Sequence, residues 1–157
     1  MTPHFVFEDY SKCFRRNIPN LGLKKKLKYL EIGVWEGRSA TYMLDNYECD
    51  YTGVELNPQP HLLYNLKKYQ KTLIIGDSRI VLPRLNCYFD VIYIDGGHEY
   101  EVVKQDIKNS WPLLEEGGIL LLDDYGMDDV KKAVDEFIKT VDHEVILTNW
   151  QIAIRKK

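Results

Sequence analysis

Short apolar runs that alternate with helical patterns are the feature that most constrains the fold of this 157-residue chain. Ile119–Leu122 is apolar at every position, which is typical of a parallel strand covered on both faces of a sheet. Four earlier runs are strand-like as well: Lys28–Ile32, Tyr51–Glu55, Thr72–Ile75 and Val91–Ile94. Because apolar residues recur at helical spacing between the runs, we predict an α/β fold with one doubly wound, mostly parallel sheet.

The two ends of the chain differ from this alternating pattern. Glu144–Thr148 and Gln151–Arg155 are strand-like and close enough to form an antiparallel hairpin. Residues 1–27 are mixed in character, with a predicted short helix over Glu8–Arg16, and we interpret them as a cap segment over the sheet. The length suits one core, so we predict a single domain over residues 28–157.

Three local patterns give predictions that a structure can check directly. Apolar residues at helical spacing predict a helix from Leu62 to Tyr69. Two glutamates and two glycines at Glu115–Gly118 predict a turn before the fifth strand. Asp128 or Asp129 is available as the N-cap of the helix that follows this strand.

A glycine turn follows the first strand. Gly33 and Gly37 lie four positions apart between the strand and a predicted helix, and neither carries a Cβ, so backbone can approach a ligand closely there. Glu31, at the end of the strand, could accept a hydrogen bond from a cationic or hydroxylated ligand. The turn differs from the three-glycine fingerprint of dinucleotide-binding folds.

Acidic residues follow all five predicted parallel strands. Ligands of such sheets bind beyond the carboxyl ends of the strands, and an unpaired carboxylate is costly to bury. We therefore predict a binding edge that carries these acids: Glu31, Glu55, Asp77, Asp95, and Asp123 with Asp124.

Two of these acids are candidates for binding a nucleoside. Glu55 follows Gly33 by 22 positions, close to the offset at which a second-strand acid meets ribose hydroxyls. The alternative is that Glu55 is only a polar strand end. Asp77 and Ser78 could supply an acceptor and a donor to an adenine edge, or they could simply cap a turn.

The fourth and fifth strand ends carry a second group of candidates. Asp95, Asp123 and Asp124 would repel one another without a cation, and their hard oxygen ligands suit Mg²⁺, Mn²⁺ or Ca²⁺ better than zinc. His98 lies three residues after Asp95 and could remove a proton near neutral pH. The alternatives are that Asp124 caps the next helix and that His98 only begins one.

Composition excludes several classes of partner. The net charge of -3, with only short basic stretches, argues against nucleic acid, and no apolar run is long enough to cross a membrane. Three cysteines without metal-ligand spacing, and no apolar leader, favour a reducing cytoplasmic location. We interpret the remaining histidines as surface or structural residues, and Trp111 and Trp150 as core or hairpin packing.

Residues 28–156 resemble class I S-adenosylmethionine-dependent methyltransferases, and within them the small-molecule O-methyltransferases. The pattern Glu31-x-Gly33-x-x-x-Gly37-x-Ser39 is similar to the first motif of the family, which lines the methionine part of the cofactor. Ile94-Asp95-Gly96-Gly97-His98-x-Tyr100, followed by Leu114-x-x-Gly117-Gly118 and Asp123-Asp124, resembles the metal-dependent branch. That branch includes macrolide-sugar O-methyltransferases, and its metal site is similar to that of catechol O-methyltransferase.

The resemblance implies a Rossmann-like sheet, a chemistry and a set of roles. It implies methyl transfer from S-adenosylmethionine to a hydroxyl of a small molecule or sugar, with Glu55 on the ribose and Asp77 and Ser78 beside the adenine. It also implies a divalent metal, Mg²⁺ in that branch, on Asp95, Asp123 and Asp124. Asp95 would additionally contact the cofactor and assist catalysis, and His98 would be the base.

One departure from the family concerns the acceptor side. Only about 27 residues precede the first strand and no loop is long, so we expect an acceptor site that is open, completed by another subunit, or built by a partner domain. Two other functions compete with methyl transfer: an NAD-dependent oxidoreductase, and a non-catalytic module that binds S-adenosylmethionine.

Overall fold

One seven-stranded sheet dominates the computed structural model, which describes residues 2–157. The strand order is β3-β2-β1-β4-β5-β7-β6. The strands are β1 (Lys26–Ile32), β2 (Glu48–Glu55), β3 (Thr72–Ile75), β4 (Phe89–Ile94), β5 (Leu114–Leu122), β6 (His143–Thr148) and β7 (Ile152–Lys156). The first five are parallel, and β7 runs antiparallel to both β5 and β6. The predicted mostly parallel sheet with a C-terminal hairpin is therefore confirmed.

Helices connect the strands and cover both faces of the sheet. They are α1 (Lys12–Asn17), α2 (Arg38–Asn46), α3 (Leu62–Asn65), α4 (Ser78–Val81), α5 (Tyr100–Ser110) and α6 (Asp128–Phe137). Consecutive residues of the central strands alternate between two buried cores: Leu30, Ile92 and Leu120 lie in one, and Tyr29, Tyr93 and Leu121 in the other. This burial on both faces is the physical reason for the continuous apolar runs at Val91–Ile94 of β4 and Ile119–Leu122 of β5. None of the helices in residues 2–157 has the length and apolar character needed to cross a membrane.

Two helix predictions were wrong in detail. The predicted helix to Tyr69 ends at Asn65, and the chain continues in tight turns in which Lys67 and Tyr69 donate to carbonyls three residues back. The N-cap of α6 is Met127, not Asp128 or Asp129. Both aspartates lie instead in the first turn of α6, where negative charge is favourable at the positive end of the helix dipole.

The predicted turn at Glu115–Gly118 is part of β5. Leu114 pairs with Phe89 and Ile119 pairs with Val91, so four residues of β5 bulge out opposite a single residue of β4. Gly117 adopts a left-handed conformation within this bulge, with φ of 77°. The prediction of a connecting turn was therefore wrong, because the bulge keeps both ends of the segment in the sheet.

The N-terminal segment lies across the sheet and the glycine turn. Phe14 of α1 packs on Tyr93, with ring centroids 4.5 Å apart. Farther toward the N-terminus, the backbone amide of Val6 donates to Glu36 in the glycine turn over 3.1 Å. The predicted helix at Glu8–Arg16 is shorter and shifted to Lys12–Asn17. Residues of the N-terminal segment therefore cover part of the sheet and of the glycine turn. The boundary between this segment and the domain at residue 27 stays a prediction.

Candidate active site

The glycine turn owes its shape to two left-handed glycines. Gly33 and Gly37 have φ of 86° and 85°, and Trp35 between them has φ of 52°. A Cβ on Gly33 would lie 2.0 Å from the carbonyl oxygen of Asp95, well inside the contact limit. Because the turn packs directly on the end of β4, only glycine fits this position.

Glu31 and Ser39 hold the underside of this turn. The Ser39 hydroxyl donates to one carboxylate oxygen of Glu31, and the Tyr51 hydroxyl donates to the other over 2.7 Å. Glu31 has no exposed surface, and burial raises its pKa to about 7 from an ordinary 4.5. Glu31 thus supports the turn from below, and the predicted contact of Glu31 and Ser39 with a cofactor stays a prediction.

Glu55 ties the glycine turn to the loop after β2. One carboxylate oxygen accepts from the backbone amide of Trp35 over 2.6 Å, and the other accepts from the amide of Asn57 over 2.7 Å. The carboxylate therefore lies at the carboxyl edge of the sheet beside the turn, the position that the sequence predicts for a ribose-binding acid.

Asp77 and Ser78 make contacts within the protein. Asp77 caps α4 by accepting from the backbone amide of Arg79 over 2.9 Å, in line with the capping alternative. Ser78 donates to Asp106 over 2.6 Å. Asp106 was missed by the sequence reasoning, although its place between the inward-facing Val103 and Ile107 of α5 was a signal. Burial raises the pKa of Asp106 to about 6.

Three side chains converge at the ends of β4 and β5. Asp95, His98 and Asp124 each offer one ligand atom, and these atoms lie within 4.8 Å of one another. Nε2 of His98 is 2.7 Å from Oδ2 of Asp124, and this contact raises the pKa of His98 and lowers that of Asp124. Burial raises the pKa of Asp95 well above its ordinary range, and Asp123 and Asp124 raise it further. We call these three residues the Asp–His cluster.

The structure places Asp123 outside the Asp–His cluster. Its Oδ2 accepts from the Tyr93 hydroxyl over 2.5 Å and from Nε2 of Gln151 over 2.9 Å, and its Oδ1 accepts from the amide of Asp124. The sequence reasoning grouped Asp123 with Asp95 and Asp124 as possible ligands. The structure groups His98 with these two aspartates instead. The assignment of Asp123 as a metal ligand stays a prediction, as does that of His98 as a base.

The donor set of the Asp–His cluster fits a divalent cation. The two carboxylates are hard oxygen ligands, which suit Mg²⁺ or Mn²⁺ when water completes the coordination shell. The imidazole is a borderline ligand and favours a transition metal such as Mn²⁺ over Mg²⁺. The cluster and Asp123 line a small cavity together with Gly96, Gly97 and apolar residues of β4, α5, β5 and α6, namely Ile94, Val103, Leu122 and Val130. Beyond the effects of burial and of Asp123, charge repulsion from Asp124 raises the pKa of Asp95, and a cation between the two carboxylates would relieve this repulsion.

Two residues that contact the acids were not recognised as part of the site. Trp150, interpreted from sequence as packing, is 52% exposed and donates its indole N–H to Oδ1 of Asp124 over 2.8 Å. Gln151 is fully buried and donates to Asp123. No sequence signal near the motifs points to either residue, because the hairpin reaches the site only through the pairing of β7 with β5.

Comparisons with known proteins give the same fold. SAH-bound methyltransferase PaMTH1 of Podospora anserina superposes with a TM-score of 0.71 at 19% identity, over 83% of this chain and 71% of that one. MycE methyltransferase of the mycinamycin pathway, in complex with Mg and SAH, superposes with a TM-score of 0.66 at 17% identity, over 99% of this chain and 52% of that one.

A curated relative also aligns along much of the chain. Uncharacterized protein R132 of Acanthamoeba polyphaga mimivirus is 28% identical over 124 residues, which is 69% of this chain. The chain spans about half the length of that relative, since 56% of it is covered.

Together, the sheet order and the glycine turn at its carboxyl edge define a Rossmann-like fold of the methyltransferase type. A family model described as "Methyltransferase domain" matches residues 30–125, from the middle of β1 to just beyond the Asp–His cluster. The protein belongs to this methyltransferase domain family.

Proposed function

We propose that the protein transfers a methyl group from S-adenosylmethionine to a hydroxyl of a small molecule or sugar, with a divalent cation and His98. The observation that carries this proposal is the contact between the two halves of the site. Asp95 packs its carbonyl against Gly33 of the glycine turn and contributes its carboxylate to the Asp–His cluster. A donor bound at the turn would therefore lie next to the groups suited to prepare an acceptor oxygen.

The donor side is assigned from the edge of the sheet. Gly33 and Gly37 would let backbone approach the methionine part of the donor, with Glu31 and Ser39 supporting the turn. Glu55 would accept from the ribose hydroxyls, because its carboxylate lies beside the turn. Asp77 and Ser78, at the start of α4, would face the adenine.

The acceptor side is assigned to the Asp–His cluster. Asp95 and Asp124 would hold the cation, and His98 is near enough to be either a third ligand or the base. When bound, the cation would make the acceptor hydroxyl more acidic and orient it. His98 would take the hydroxyl proton as the oxygen–methyl bond forms and the sulfur–methyl bond breaks. We propose further that a second subunit or a partner domain completes the acceptor side.

The first experiment separates methyl transfer from an oxidoreductase, and from a non-catalytic module that would bind S-adenosylhomocysteine but form no labelled product. Calorimetry with S-adenosylhomocysteine and with NAD should show binding of the first alone, and a protein that binds NAD instead is an oxidoreductase. Radiolabelled methyl transfer is then measured with a panel of catechols, sugars and amines, with Mg²⁺ or with EDTA. We expect labelled ethers that depend on Mg²⁺. Labelled amines alone, or turnover indifferent to EDTA, would contradict the hydroxyl or the metal assignment.

A His98→Ala variant tests the base. Turnover should fall at least about 100-fold, the usual contribution of a positioned acid–base group, while affinity for S-adenosylhomocysteine stays unchanged. His143→Ala is the matched control, because His143 begins β6 at the amino-terminal edge of the sheet, away from the cluster. Full activity of His98→Ala on the substrate that the wild type methylates would remove His98 from the mechanism.

A further inference from the structure

We infer that Trp150 is a positioning residue that orients Asp124 for the cation, an inference that rests on the proposed function. Trp150 lies in the turn between β6 and β7, far in sequence from the motifs of the site. Its indole Nε1 donates to Oδ1 of Asp124 over 2.8 Å. Oδ2 of the same carboxylate is the oxygen that faces His98. The indole therefore fixes one carboxylate oxygen and leaves the other for the cluster.

Two further contacts hold Trp150 against the segment that follows β5. The backbone carbonyl of Trp150 accepts from the amide of Tyr125 over 2.8 Å. Its ring packs on Gly126 so closely that a Cβ there would lie 2.3 Å from a ring carbon. Three successive residues, Asp124, Tyr125 and Gly126, thus contact the same tryptophan through its donor, its backbone and its ring. Such a three-point contact leaves the indole little freedom to turn away.

The backbone of Asp124 has an uncommon conformation. Asp124 has φ of 55°, a left-handed conformation that aspartate tolerates but does not prefer. Outside the cluster, the carboxylate is held by the hydrogen bond from Trp150. Groups that hold a ligand in this way usually change metal affinity about 10- to 100-fold when they are removed.

The same turn holds the neighbouring carboxylate in another direction. Gln151 donates to Oδ2 of Asp123 and accepts from Nδ2 of the buried Asn17 over 2.8 Å. The adjacent residues Trp150 and Gln151 therefore bind the adjacent residues Asp124 and Asp123. This pairing keeps Asp123 on Tyr93 and Gln151, and directs Asp124 toward His98 and Asp95.

The test is a Trp150→Phe variant, which keeps a ring on Gly126 and removes the N–H donor. Manganese affinity is measured by titration calorimetry and by the EPR signal of free Mn²⁺, with binding of S-adenosylhomocysteine and thermal unfolding measured alongside. We expect Mn²⁺ to bind at least about 10-fold more weakly, with the other two readouts nearly unchanged. Trp111→Phe is the matched control, because that indole packs on Phe137 at the amino-terminal end of β5.

A Gly126→Ala variant tests the same inference from the other side. Its methyl group would push the ring away from Asp124, so Mn²⁺ affinity should fall here too. Wild-type Mn²⁺ affinity in Trp150→Phe would overturn the role of Trp150 and leave the proposed function intact. A wild-type protein that binds S-adenosylhomocysteine but no Mn²⁺ would overturn both this inference and the metal assignment.

Discussion

At the scale of single residues, the two adjacent aspartates after β5 have different surroundings. Asp124 faces His98 and Asp95, whereas Asp123 accepts from Tyr93 and Gln151. Both aspartates line the cavity, but they differ in their partners. Asp123 accepts three hydrogen bonds, which contribute to stability, whereas Asp124 lies near a second acid and His98, an arrangement that suits a cation. We therefore propose that Asp123 supports the fold and that Asp124 holds the cation, a difference that their sequence alone does not show.

Asparagine variants of the two aspartates test this division. Asp124→Asn should weaken Mn²⁺ binding at least about 10-fold, because it removes a ligand charge, and should fold normally, because asparagine also tolerates the left-handed conformation. Asp123→Asn should keep Mn²⁺ binding and lose about 1–3 kcal/mol of the free energy of unfolding, because one amide oxygen cannot accept all three hydrogen bonds that the two carboxylate oxygens accept. Calorimetry with Mn²⁺ and urea unfolding give the two readouts. Loss of Mn²⁺ binding in Asp123→Asn at unchanged stability would instead support Asp123 as a ligand.

The sequence was sufficient to identify the candidate acids but not to predict which of them contacts His98. Asp95, His98, Asp123 and Asp124 were all recognised from the ends of β4 and β5 and from the family resemblance. Which aspartate joins His98 depends on the φ of 55° at Asp124 and on Trp150 and Gln151 from the hairpin. Both are consequences of tertiary contacts, and no local pattern of residue types encodes them.

At the scale of elements, the glycine turn and the end of β4 form one packed unit. Gly33 is needed for two separate reasons, its left-handed φ and the carbonyl of Asp95 beside it. The turn itself was predicted from sequence, because glycine spacing is a local signal. The contact with Asp95 was not, because it depends on the pairing of Ile32 with Ile94 in neighbouring strands.

A pair of alanine variants separates the two reasons. Gly22 has φ of 64°, and a Cβ added there would meet nothing within 4 Å, so Gly22→Ala should cost only about 1–2 kcal/mol for the left-handed backbone. Gly33→Ala carries a similar backbone cost and also collides with Asp95, so it should lose at least about 2 kcal/mol more, along with S-adenosylhomocysteine binding. Urea unfolding and calorimetry measure both. Equal losses in the two variants would mean that the turn can move away from β4.

Other elements show where local patterns stop being informative. The strand cores were recognised because burial on both faces demands apolar residues at every position. The predicted end of α3 and the predicted N-cap of α6 were wrong, because short helices end where their tertiary contacts end. The bulge in β5 was taken for a turn, since glycines and glutamates occur in both.

At the scale of the whole molecule, a buried acid under the glycine turn links stability to pH. Glu31 has a folded pKa of about 7 against an ordinary 4.5, so between these values the folded protein holds a proton that the unfolded chain releases. The contribution of Glu31 to the free energy of unfolding is therefore fully present below pH 4.5 and is lost as pH rises through 7. The loss is on the order of 3 kcal/mol for a shift of this size.

A Glu31→Gln variant should remove this pH dependence. Because glutamine does not ionise, the wild type should lose stability relative to the variant between about pH 5 and pH 8. The difference between the two free energies of unfolding, measured in urea across this range, isolates Glu31 from the other buried acids such as Asp106. Glu48→Gln, on the exposed start of β2, is the control. Profiles of wild type and Glu31→Gln that run parallel would show that Glu31 ionises normally.

The order of the strands also has a consequence for how the protein is made. β1 lies at the centre of the sheet between β2 and β4, and Ile94 must pair with Ile32 before Asp95 can reach Gly33. On the ribosome, the glycine turn emerges long before the strand against which it packs, and Trp150 emerges later still. Contacts so distant along the chain close slowly during folding. A nascent chain that has not yet reached the hairpin would therefore carry the motifs of the site without the site itself.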